Sequence, residues 1–130
     1  MRRIERRVEL AIKRAAARYC AEFYLAPKGA GRLKLTAVKR VARAEEFDGL
    51  DASTLARRVE FLVPASELGV ISLRYSIDAR TDLDFYRKAK IVEIDSNGRE
   101  TFYQIDPART YLPNSPENGS IRFFAFQVKG

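Results

Sequence analysis

From Arg2 to about Leu25 the apolar residues follow a helical period. Ile4, Val8, Ala11, Ile12, Ala15, Tyr19 and Phe23 recur at spacings of three, four and seven, which gathers them on one side of a helix. The polar sides carry Arg2, Arg3, Arg6, Arg7, Lys13, Arg14 and Arg18, and Glu9 precedes Lys13 by four residues in the orientation that favours a helix pair. Pro27, Gly29 and Gly31 then predict the end of the helix and a flexible connector.

Beyond Gly31 the period changes to alternation. Leu33, Leu35 and Ala37 alternate with Lys34 and Thr36, and Val38 and Val41 break that register as a bulge would. Phe47 closes the segment before an Asp48-Gly49 turn. Val59, Phe61 and Val63 alternate with Arg58, Glu60 and Leu62, and Pro64 stops that strand. Ile71, Leu73, Tyr75 and Ile77 alternate with Ser72, Arg74 and Ser76, which predicts a strand with one wet face. Thr81 and Asp84 have the spacing of a capping box, so a short helical turn is expected over residues 82–88.

Residues 90–95 and 99–105 flank Asn97-Gly98, a dipeptide suited to a type I′ hairpin turn because both positions tolerate positive φ. A two-residue loop would set Asp95 against Glu100, whereas a three-residue loop pairs Asp95 with Arg99. Asp106-Pro107 ends the hairpin, residues 113–120 read as a loop, and residues 121–128 form a last strand. With Phe123, Phe124 and Phe126 in near succession, that strand is either covered on both faces or awaits a neighbouring subunit, so these three are the candidate subunit-interface residues. The fold class expected is α+β and mostly β: an N-terminal amphipathic helix (residues 1–28) followed by a small antiparallel β barrel or sandwich (residues 29–130), one domain overall.

Composition narrows the chemistry. A chain of 130 residues with 46% hydrophobic and 32% charged residues supports one core and a solvated surface. No apolar run approaches the roughly twenty residues of a membrane span, so no membrane association is expected. The chain has no histidine and a single cysteine, Cys20. That removes the usual nitrogen and sulfur metal ligands and the imidazole base of Ser/His/Asp and Cys/His systems; Cys20, on an alanine-rich helix, reads as a packing residue. Asp78, Asp82 and Asp84 form the densest acidic cluster. Their place at a strand end and in the first turn of a helix accounts for them better than a metal site does. Gly29-Ala30-Gly31 precedes no helix and so fails as a phosphate loop. No enzymatic activity, cofactor or metal is expected.

The charge of +7 is unevenly placed. Residues 1–43 carry thirteen Lys and Arg against three acids, whereas residues 44–130 carry eleven against fourteen. Arginines crowd the positive end of the helix dipole, a placement that local stability does not explain. The helix cations are therefore the candidate contacts for an anionic partner, either a phosphate backbone or an acidic protein face.

The order of the β segments resembles that of the lambda-type head-tail joining proteins of tailed bacteriophages, the stoppers or adaptors of the neck. The matching pieces are residues 41–47 as an early strand and residues 58–68 as a strand running into a small-polar-Leu corner. Residues 90–105 follow as strand, glycine turn and Tyr-containing strand, and residues 121–128 as the closing strand. The chain departs from the family where Arg87-Lys88-Ala89-Lys90 stands in place of a Gly-Asp pair, and its N-terminal helix is longer and more basic. The resemblance implies a β barrel that assembles into a homo-oligomeric ring beneath the portal, assembled in the host cytoplasm and carried in the virion. Its implied partners are the portal or a neighbouring neck or tail protein, with non-specific contact to DNA. A tail terminator is a sister reading, and a nucleic-acid-binding module using the basic helix is an alternative from another class.

Overall fold

The computed structural model describes residues 3–17, 21–41, 58–108, 110 and 120–129. In chain order these form α1 (Arg3–Ala17), β1 (Glu22–Pro27), β2 (Leu33–Leu35), β3 (Val38–Val41), β4 (Arg58–Pro64), α2 (Glu67–Tyr75), α3 (Leu83–Arg87), β5 (Ala89–Ile94), β6 (Glu100–Ile105) and β7 (Ser120–Val128). The class is α+β and mostly β. The seven strands make one antiparallel sheet in the order β2-β1-β5-β6-β7-β4-β3, and no ladder joins its two ends.

The N-terminal helix is shorter than its period suggested. It stops at Ala17, and Phe23 and Leu25 belong to β1, where Phe23, Leu25 and Pro27 alternate with more exposed neighbours. The interval from Tyr19 to Phe23 suits a helix, but the alternation that follows is satisfied only by a strand paired on both sides. Phe23 faces Leu35 of β2 and Glu93 of β5. The Gly29–Gly31 stretch is likewise a hairpin turn rather than a loose connector. Gly29 sits at φ 75°, which an L side chain resists, and the Ala30 N–H donates to the Pro27 carbonyl at 3.3 Å.

The register break expected after Ala37 is a change of partner. Leu33 and Leu35 pair with β1, while Val38–Val41 pair with β4, so Thr36 and Ala37 carry the chain from one end of the sheet to the other. Two residues can make that step only if the sheet curls. Phe23 of β1 and Phe61 of β4 stand four strands apart, about 19 Å in a flat sheet, yet their rings meet edge to face with centroids 5.4 Å apart. Phe61 also meets Tyr103 of β6 at 5.3 Å. The core fills the inside of this curl, with Leu25, Phe61, Val63, Ile91, Ile121 and Phe123 fully buried.

Residues 71–77, expected as a strand, are a correction. Glu67–Tyr75 is helical, closed by Ser76 in the left-handed conformation at φ 54°. Ile71 and Tyr75 lie four apart and so satisfy both periods, but Leu68 extends the helical one, and Leu68 and Ile71 are the buried residues. Leu73, which the alternation placed on the same face, is 86% exposed. The short helical turn after it is present, capped by Asp82 rather than Thr81: the Phe85 N–H donates to Asp82 Oδ1 at 3.1 Å. Ring contacts from Tyr75 to Phe85, Tyr86 and Phe123 tie α2 and α3 to β7.

The β5–β6 hairpin has the three-residue loop. Ile94 pairs with Glu100, and the Asp95 N–H donates to the Arg99 carbonyl at 3.0 Å. Asp95 Oδ1 accepts from the Asn97 and Arg99 N–H groups, both at 2.9 Å, and Gly98 alone takes positive φ, at 79°. This is the three-residue turn with a left-handed glycine instead of the type I′ turn.

Candidate functional site

The outer face of β3, β4 and β7 assembles a charged cluster that no single stretch of chain announces. Arg40 lies opposite Glu60 in the β3–β4 ladder, Glu60 lies opposite Phe124 in the β4–β7 ladder, and Leu62 lies opposite Arg122. Glu60 is fully buried. Its Oε2 accepts from Arg40 Nε at 2.7 Å and from Arg40 Nη2 at 2.5 Å, and its Oε1 accepts from Arg122 Nε at 2.7 Å. Both arginine side chains remain about a third exposed. A buried carboxylate thus holds two guanidinium planes in fixed positions on one surface, a geometry suited to contact with anions. Along the same face the Arg58 guanidinium lies 4.6 Å above the Phe126 ring and 3.7 Å from Asp106, and Arg122 lies 5.7 Å above Phe124.

These contacts place the three interface candidates. Phe123 points inward and is wholly part of the core, so it presents no surface to another subunit. Phe124 is buried on the opposite side of the sheet, and Phe126 is half-buried against Arg58. The strand is covered on both faces at Phe123 and Phe124, which was one of the two outcomes its composition allowed.

The helix candidates divide in the same way. Arg7, Lys13 and Arg14 are exposed on α1, together with Leu10, while Ile12 is buried on the opposite side. Arg3 and Arg6 belong to the same helix. Arg2, Arg18 and Cys20 lie outside the described residues, as do Phe47 and the Asp48-Gly49 pair. The nearest strands to α1 are β4, β3 and β7, the three that carry the arginine–glutamate cluster. A cleft of about 410 Å³ opens beside α1, where Lys13 and Ala16 face Phe23, Lys34 and Leu35.

A second polar group sits on the inner side of the curl. Lys39 Nζ donates to Glu93 Oε1 at 2.6 Å and to the Tyr103 hydroxyl at 3.4 Å. Burial works against the Lys39 charge, but the bonds and charges of Glu93 and Tyr103 outweigh it and hold the ammonium above its ordinary pKa. Burial, with the Glu93 charge beside it, pushes the Tyr103 phenol up. Tyr86 is raised further, first by burial and then by Asp82 and Asp78; its hydroxyl donates to the Ala79 carbonyl at 2.5 Å.

All three groups keep their protons longer in the folded chain than in the unfolded one. Their stabilisation is therefore complete below the unfolded values, about 10 for both residue types, and is lost as pH rises through the folded ones. Urea unfolding measured across this range should show a midpoint that falls from about pH 10 upward. Tyr86→Phe should lower the midpoint at neutral pH by the equivalent of about 1 kcal/mol while making the alkaline fall shallower.

The acidic residues of the 78–84 segment serve local structure. Asp78 Oδ1 accepts from the Arg80 N–H, Asp82 caps α3, and Asp84 pairs with Arg87 at 2.9 Å. Among the described residues no group of three Asp, Glu or Cys side chains is placed to hold a metal ion, and no helix is long and apolar enough to cross a membrane. Comparison with family models, with characterised proteins and with solved structures gives no significant match.

Proposed function

We propose that the chain is a structural subunit of the neck of a tailed bacteriophage, joining the portal or head to the tail as one member of a ring around the DNA channel. The observation that carries this reading is the arrangement of the segments behind the resemblance. β4, the β5–β6 hairpin and β7 are dispersed along the chain, yet they form the contiguous block β5-β6-β7-β4 of one sheet. The curl of that sheet and the change of partner at Thr36 and Ala37 fit a partly open barrel, the body expected of such a subunit. Its role is assembly rather than catalysis, with the exposed α1 cations and the Arg40–Glu60–Arg122 cluster available to anionic neighbours.

Particles purified from the strain that carries the gene test this. Quantitative mass spectrometry should find the chain in a fixed small-integer ratio to the portal protein. Particles complete with head and tail but lacking the chain would end the neck reading.

Exposure of Arg7, Lys13 and Arg14 on α1 favours one further reading, a nucleic-acid-binding module. DNA binding titrated across a salt series would then show a steep slope that shrinks when the three are replaced together, because each phosphate contact releases counterions. A flat slope rejects it.

A further inference from the structure

We infer that the outward face of α2 and α3 is the docking surface for α1 of a second copy of this chain. The inner faces of both helices are already used: Leu68 and Ile71 enter the core, Tyr86 is buried, and Tyr75 packs on Phe85. The outer faces nevertheless carry large apolar residues. Leu73 is 86% exposed, and Val70 and Leu83 are each 45% exposed. Val70 and Leu73 are three apart and so share one side of α2.

The occupant is argued from charge and shape together. On α1 the exposed Leu10 is flanked by Arg7, Lys13 and Arg14 at separations of three, three and four, which puts a leucine among cations on one helix side. Ile12, on the other side, is the residue buried within its own copy. The receiving face supplies the complement. Asp84 is exposed next to Leu83, and exposed Asp78 is held close to Leu73 because the Ala79 N–H donates to Ser72 Oγ at 3.0 Å. Arg80 and Arg87 border the same face, and Arg87 already pairs with Asp84, so α1 would have to compete for that carboxylate. At the scale of the chain, thirteen bases against three acids in residues 1–43 meet eleven against fourteen in residues 44–130.

Within one copy the strand neighbours of α1 are β4, β3 and β7, so donor and acceptor faces are different patches. A contact between different patches is head-to-tail, and repeated it closes a ring or runs on as a filament. The proposal deepens the neck reading and rests on it for the choice of ring over filament.

The test is disulfide capture with the full chain, Cys20→Ser serving as the common background. Leu10→Cys and Leu73→Cys are made separately, and thiol titration and circular dichroism confirm that each is folded and accessible. Oxidation of the mixture should give a heterodimer at several times the yield of either homodimer, falling as salt is raised. The chain bearing both cysteines should give a ladder of higher multimers. Accessible thiols that cross-link no more often in the mixture than alone, or a dominant Leu73→Cys homodimer, would overturn the proposal. Particles that contain the chain but never the mixed disulfide remove this interface and leave the neck reading standing. A mixed disulfide in a chain absent from particles does the reverse.

Discussion

Phe61→Ala is expected to cost about 3–5 kcal/mol, a large part of the 5–15 kcal/mol that holds a domain of this kind. Phe61 is fully buried and meets Phe23 and Tyr103 edge to face, so its ring is the point at which the two ends of the sheet touch. Truncation removes the transfer free energy of the ring and leaves a cavity that a curled, doubly connected sheet cannot easily collapse. Phe61→Leu, which keeps most of the volume, should cost only about 1–1.5 kcal/mol. Phe126→Ala, on the outer face and half-buried, should cost clearly less than Phe61→Ala. Urea unfolding measured on the three variants ranks them. If Phe61→Ala were no more damaging than Phe126→Ala, the curl would not depend on the contact between β1 and β4.

The neighbouring residue on β4 points the other way and gives the second large effect. Glu60→Gln preserves shape but removes the charge that holds Arg40 and Arg122. Breaking a buried ion pair typically costs 3–5 kcal/mol, and about 2–3 kcal/mol is expected here because both guanidiniums, about a third exposed, can turn toward water. Replacing both arginines by alanine strands a carboxylate that has no exposure of its own, and should cost about 4 kcal/mol or more. The combination Glu60→Leu, Arg40→Met and Arg122→Met should regain most of that loss, because it leaves no unpaired charge behind. Failure of the triple variant to exceed the arginine double variant in unfolding midpoint would contradict this account of the cluster.

Legibility in the sequence followed the locality of the signal. The β5–β6 hairpin could be read directly, since Asn97-Gly98 marks the turn and Asp95 opposite Arg99 selects the longer loop. β4 and β7 were legible from alternation ended by Pro64 and from the aromatic run. β1 was not, because the Tyr19-to-Phe23 interval continues the helical period and conceals where it stops. α2 was misread for a related reason: Ile71 and Tyr75 suit both periods, and only Leu68, upstream of the alternating window, separates them. The cations of α1 were visible because helical spacing alone gathers Arg7, Lys13 and Arg14. The Arg40–Glu60–Arg122 cluster was invisible because its members lie 20 and 62 residues apart and meet only through the β3–β4–β7 register. A fully buried Glu at a position that alternation marks as wet depends on what covers the second face, which periodicity does not report.

The most direct measurement on the central claim is a reconstruction of the neck of intact particles from the strain that carries the gene. The account predicts a ring between portal and tail whose subunit is a curled seven-stranded antiparallel sheet preceded by a helix, repeated around the DNA. A neck in which every density belongs to other chains, with this fold nowhere between head and tail, would contradict it.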